Sequence, residues 1–128
     1  MGTDIDYETA ARWFENASLR GNAAAQCNLG DMRLHGLGVE ADAAEAYRLF
    51  SLAAEQGNGA AECHLAEMYG DGTAVQQDAA RSAWWYQRAA EGGVPEAQNA
   101  FGLACLNGDG VSRDAVQAEA WLRKAAER

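Results

Sequence analysis

Residues 61–96 read AECHLAEMYGDGTAVQQDAARSAWWYQRAAEGGVPE, and the segment recurs along the chain. A shift of 36 positions brings Ala25, Ala61 and Ala97 into coincidence, and likewise Leu29, Leu65 and Phe101. Gly36, Gly72 and Gly108 fall in line, then Val39, Val75 and Val111, then Asp42, Asp78 and Asp114. The second half of the unit matches four times, at Trp13, Leu49, Trp85 and Trp121 and again at Ala17, Ala53, Ala89 and Ala125. Gly21, Gly57 and Gly93 close three of the units. A fixed period of this size marks stacked repeats, each too small to bury its apolar face without its neighbours.

Within one unit, Ala25, Leu29 and Met32 lie at i, i+4 and i+7, one face of a helix. Gly30 on that side leaves room for a neighbour. The helix stops at His35-Gly36, and Gly36-Leu37-Gly38-Val39 reads as a loop whose glycines suit positive φ, with Val39 turning back into the core. Asp42 opens a second helix, and Asp42-Ala43-Ala44-Glu45 has the spacing of a capping box. Ala46, Leu49, Phe50 and Ala53 form its buried stripe. The second unit departs at Ala74, which replaces a loop glycine, and at Trp84, where the others carry Arg12, Arg48 and Ala120. In the last helix Asp114 is the cap and Ala118, Trp121, Leu122 and Ala125 are the stripe. Residues 6–21 match a second helix alone, either a capping helix or the edge of a longer array. The expectation is a single all-α repeat domain over 1–128 with about seven helices and no strand, its repeats at 24–57, 60–93 and 96–128.

Ten basic against nineteen acidic residues leave a net charge of −9, which would repel phosphates and speaks against nucleic acid or an anionic membrane as partner. No apolar run has the length of a membrane span. Cys27, Cys63 and Cys105 are an odd number without metal-ligand spacing. Equivalent positions on packed helices are about 8–10 Å apart, beyond disulfide reach, so all three are expected as thiols. Such thiols fit a reducing, cytoplasmic setting, while removal of a signal peptide would allow a periplasmic or secreted one.

Catalysis needs titratable groups that converge. His64 follows Cys63 directly, and adjacent helical residues point about 100° apart, so the two cannot act as nucleophile and base. Cys27, Asp31 and His35 line up at i, i+4 and i+8, but the ends of that line are about 12 Å apart. Cys27, Asp31, Cys63 and Glu67 could form a four-ligand patch, although semi-buried cysteines and solvated carboxylates explain the same residues. The loops lack the Gly-Lys-Ser/Thr of a phosphate loop. No cofactor or metal is expected, and no enzyme.

Ala-x-x-x-Leu-Gly, then Gly-x-Gly-Val, then Asp, then Ala-x-x-Trp and Ala-Ala-x-x-Gly resemble the Sel-1-like repeat (SLR) family, relatives of tetratricopeptide repeats. The match spans essentially the whole chain. The resemblance implies a right-handed α/α superhelix with a concave groove, and a role as adaptor or scaffold for other proteins, in bacteria often in secretion, envelope or host-contact systems. One cysteine-rich branch, linked with β-lactam binding, pairs a cysteine matching Cys27 or Cys63 with one in the second helix. Those partner positions here are Ala54, Ala90 and Ala126, so this chain departs from that branch.

If first helices line the concave wall, as in tetratricopeptide relatives, the groove presents Cys27, Asp31, His35, Cys63, Glu67, Asp71, Asn99 and Leu103. The first helices with their ends carry Asp31, Glu62, Glu67, Asp71 and Glu96 against Arg33 alone. That charge suits a basic or polar peptide segment, and small residues such as Ala60 and Gly70 leave room for a ligand side chain. Trp84, flanked by Arg81 and Arg88, is a candidate contact on the convex side, or surface packing alone. The leading reading is a protein-interaction module. The alternative is a structural segment of a longer repeat protein with no site of its own, and a β-lactam-related enzyme or a metal site has the least support. At the C-terminal end the Trp121–Leu122 side is expected to be partly exposed, giving weak self-association or a seat for further repeats.

Overall fold

The computed structural model describes residues 6–127; the expected domain limits at 1 and 128 lie outside them. Seven helices follow one another: α1 (Tyr7–Leu19), α2 (Ala23–His35), α3 (Ala43–Glu55), α4 (Gly59–Asp71), α5 (Ala79–Glu91), α6 (Pro95–Asn107) and α7 (Ala115–Ala126). Among the described residues there is no strand. The chain forms two compact units, Met1–Ala61 and Glu62–Arg128.

The helices start where polar caps stand. Asp42, Asp78 and Asp114 each accept a hydrogen bond from the backbone N–H three residues on, and Asp6 does the same for α1. The capping box at Asp42 is only half made, however. The Asp42 N–H donates to the Arg33 carbonyl at 2.7 Å, and the Glu45 carboxylate is taken by Arg48 Nε at 2.9 Å. That ion pair holds the Glu45 carboxyl below the usual range, the hydrogen bond from Arg48 being the main cause. First helices have caps of their own, Asn22 for α2 and Asn58 for α4. At the equivalent place before α6 stands Val94, which has no capping bond and is followed by Pro95 at the first helical position.

In the Met1–Ala61 unit, α2 packs on both α1 and α3. Ala11, Leu29, Met32 and Leu49 form its core, with Phe14, Leu37 and Val39 against them, so the loop valine does turn inward. The Phe50 ring lies on Gly30, where a Cβ would come within 2.8 Å of it. The α3 stripe Ala46, Leu49, Phe50 and Ala53 is buried throughout. Trp13 shares the register of Leu49 but not its surroundings. It is 70% exposed although its counterpart Leu49 is 1% exposed. Leu49 is covered by α2, whereas α1 meets α2 through Ala10, Ala11 and Phe14, and among the described residues no helix of this unit covers the Trp13 side.

In the Glu62–Arg128 unit, α6 packs on both α5 and α7 around Ala83, Ala89, Ala97, Phe101 and Cys105. Trp121 meets the Phe101 ring edge-on at 6.1 Å, and Leu122 seats against Gly102. Trp121 and Leu122 are therefore half-buried, and the large exposed apolar residue of α7 is Val116. Ser82 Oγ donates to the Ala66 carbonyl at 2.7 Å and ties α5 to α4. The loop after α6 presses backbone to backbone, since a Cβ at Gly110 would land on the Ala79 carbonyl. Gly38 makes the same approach to Tyr7 in the first unit. Only glycine allows it, and both residues have positive φ.

Candidate protein-interaction site

On α2, Asp31 Oδ1 and His35 Nε2 are 3.3 Å apart and their side chains are about half exposed. Cys27 does not join them. It is 6% exposed and belongs to the core, so the expected groove position there is corrected. Burial first, and the nearby Asp31 carboxylate second, push its thiol up to about 11. The Cys105 thiol is likewise raised, mainly by burial, and its Sγ lies 3.8 Å from Gln117 Oε1. Thiols of this kind stay protonated at neutral pH and make poor nucleophiles. None of the three cysteines is in a disulfide. Among the described residues there is no group of three or more His, Cys, Asp or Glu placed to hold a metal ion.

The Glu62–Arg128 unit carries a pocket of about 340 Å³ between α4, α5 and α6. Gly70 of α4 lines it, with Ser82 and Tyr86 of α5 and Leu103, Ala104 and Asn107 of α6. Gln77 and Asp109 come from the two loops. Gln77 Nε2 is held by the Gly70 carbonyl at 2.8 Å, and Ser82 by Ala66, so these two donors are already engaged. Leu103 is 43% exposed, and Asn107 and Asp109 are exposed beside it. Burial pushes the Tyr86 hydroxyl up to about 12, with Glu67, Cys63 and Asp71 of α4 adding negative charge around it. Glu67 and Asp71 are exposed, Cys63 is half-buried against the core, and Asn99 is exposed on α6. His64 Nδ1 is 3.8 Å from Glu67 Oε1. The residues brought together on this unit are therefore Glu67, Asp71 and Leu103 near a pocket. In the sequence Gly70 stands out as a small residue. Ser82, Tyr86 and Asp109 carry no such mark, apart from Ser82 standing where the other second helices have Ala10, Ala46 and Ala118.

A second cluster sits on α5. Trp84 is 50% exposed and meets Trp85 edge-on at 4.9 Å. The Arg88 guanidinium lies 5.1 Å from the Trp84 ring centre and 5.9 Å from that of Trp85, and its Nε is 3.5 Å from Glu62 Oε2. Arg81 turns away, to Asp78 at 3.4 Å and to the Tyr69 ring at 5.7 Å. Only one of the two flanking arginines therefore holds the exposed indole.

The Sel1 repeat model matches residues 1–22, 23–58, 59–94 and 95–128. Among solved structures, the chain is similar to c5321, a protective antigen present in uropathogenic Escherichia coli strains displaying an SLR fold, with 38% identity and a TM-score of 0.89 over 94% of this chain and 26% of that one. It is also similar to a Sel1 repeat protein from Oxalobacter formigenes, with 33% identity and a TM-score of 0.90 over 94% of this chain and 50% of that one. Helicobacter pylori cysteine rich protein B shares the fold, at 21% identity and a TM-score of 0.71 over 98% of this chain and 92% of that one. The chain spans half or less of the length of the first two. A comparison with curated proteins gives no match.

Proposed function

Because the chain belongs to the Sel1 repeat family, we propose that it works as a non-catalytic protein-interaction module that takes a basic or polar peptide segment on its first-helix faces. The observation that carries this reading is the pocket of about 340 Å³ in the Glu62–Arg128 unit, at the lower end of the size of ligand sites, with exposed Leu103 beside it and the exposed carboxylates Glu67 and Asp71 on α4. Asp31 and His35 offer the equivalent surface on α2, and Cys63 and Asn99 complete the proposed contacts. A chain of net charge −9 also draws basic segments toward it before contact. No membrane insertion or nucleic-acid contact enters the reading, and among the described residues no helix is long and apolar enough to cross a membrane.

The test is a peptide selection followed by fluorescence anisotropy. Selected peptides should be enriched in lysine and arginine. Replacing Asp31, Glu67 and Asp71 with Asn, Gln and Asn should weaken binding about tenfold, since three exposed charge contacts of about 0.5 kcal/mol each sum to roughly 1.4 kcal/mol. The remaining affinity should depend less on salt, because exposed charges are screened over about 8 Å at physiological ionic strength. Binding indifferent to both charge and salt would sink the acidic-surface reading. Trp84 with Arg88 is proposed as a separate contact, favoured by the exposure of an indole already held in place.

A further inference from the structure

Repeats make exceptions visible, and in this chain they converge. In the first and third repeats the register position of Gly70 is Leu34 and Leu106, and that of Ser82 is Ala46 and Ala118. Ala104 stands where the other two first helices have Met32 and Met68. Asp109 stands where the other loops have Leu37 and Thr73. All four exceptions line the same pocket. A leucine and a methionine are missing from its walls, and a hydroxyl and a carboxylate have been added.

We infer that this pocket is a subsite for one lysine or arginine side chain of the bound segment. The inference rests on the proposed peptide-binding function and names what the pocket reads. Its walls of small side chains suit an aliphatic stem, which long basic residues lay along apolar surface while the charged head stays at the edge. The electrostatics select a cation. Gly70 is the penultimate residue of α4 and Asn107 the last of α6, so two helix C-termini, each with about half a negative charge, end at the pocket. Asp109 adds a full charge, and among the described residues it makes no ion pair. Asp71 is the next residue after Gly70. Arg113 donates its Nε to the Leu106 carbonyl at 3.1 Å and so offsets the α6 terminus, but it does not line the pocket, which leaves Asp109 and the α4 terminus as the groups that favour a cation.

The repeat supplies its own control. A Cβ at Gly70 would sit 3.3 Å from Ser82 Oγ, so a larger residue there needs the hydroxyl gone. The double variant Gly70→Leu/Ser82→Ala restores the leucine–alanine pair of the other two repeats and fills the pocket with side chain. Amide NMR spectra of the full chain would be titrated with the Nα-acetyl methylamides of arginine and lysine, with the citrulline and norleucine analogues as uncharged controls. The expected result is saturable shifts at Gly70, Asn107 and Asp109 with the basic probes and binding at least about tenfold weaker for the uncharged ones, a difference of roughly 1.4 kcal/mol. The double variant should lose these shifts while melting at or above the wild-type temperature, and Asp109→Asn should weaken them about fivefold or more. Equal response to norleucine, or shifts that survive in the double variant, would overturn the inference. Selected peptides that bind wild type and double variant alike would also overturn it while leaving the module reading intact. Saturable arginine binding with no peptide selected at all would do the reverse.

Discussion

Ala74 has φ of 65°, the left-handed region, at the register position filled by Gly38 and Gly110 in the other loops. A side chain there costs roughly 1–2 kcal/mol, and glycine gives back about 0.5–1 kcal/mol through its looser unfolded chain. Ala74→Gly is therefore expected to stabilise the protein by about 0.5–1 kcal/mol, read as a higher urea midpoint at unchanged slope. A lower midpoint would mean that the alanine methyl makes contacts worth more than the strain. Tyr86 gives a prediction in pH. Its folded-state pKa is raised from 10.0 to about 12, chiefly by burial. Above its ordinary pKa the unfolded chain loses the proton while the folded chain keeps it. The contribution is thus fully present below about pH 10 and is lost as pH rises toward about 12. The stability difference between wild type and Tyr86→Phe, measured by urea unfolding at steps across that window, should shift against wild type as pH rises. A constant difference would show that the hydroxyl ionises as freely in the folded state as in the unfolded one.

At the scale of one helix, α5 does two jobs with neighbouring residues. Ala83, Ala89 and Ala90 bury against the core, while Trp84 looks outward with Arg88 against it. Arg88 also faces the Glu62 carboxylate, whose side chain is only 6% exposed. Removing the cation leaves a nearly buried charge without its partner, so Arg88→Ala should cost about 1–3 kcal/mol in thermal or urea unfolding. Trp84→Ala should cost less than about 1 kcal/mol, since half the indole is already in water and what is lost is mainly cation–π and edge contact. If Trp84 is a partner contact, the same variant removes about 2 kcal/mol or more of binding. Unchanged binding to every selected partner would leave it as surface packing. Second-helix starts were legible because Asp42, Asp78 and Asp114 repeat a cap. The first-helix caps Asn22 and Asn58 were harder to read, because Val94 breaks the series and hands the α6 start to Pro95.

For the molecule as a whole, the net charge of −9 predicts that a DNA duplex is not retarded by the protein in a mobility-shift assay at physiological salt; a retarded band would show a basic surface hidden by the average. The repeat made the helices and their order readable, since the same helix signals recur at fixed spacing and reinforce one another. What the repeat could not show is how each position departs from its average. Trp13 shares a register with Leu49 yet is exposed, because burial depends on which helix lies opposite and not on the residue's own pattern. Cys27 lies more than about 100° round α2 from the Ala25, Leu29 and Met32 face, yet it is buried together with Gln26 and Gly30, so more of that helix is covered than its apolar stripe announces. The pocket was the least legible feature, being built from residues that break the pattern. Its walls also have a consequence for inheritance. Gly70, Ser82 and Tyr86 belong to the repeat at 59–94, and Ala104 and Asp109 to the repeat at 95–128. Duplicating the first of these alone would yield one complete pocket and one half, and moving either into another array would carry no pocket at all. The unit that recombination must transfer to move this site is a pair of adjacent repeats, twice the size of the unit that builds the fold.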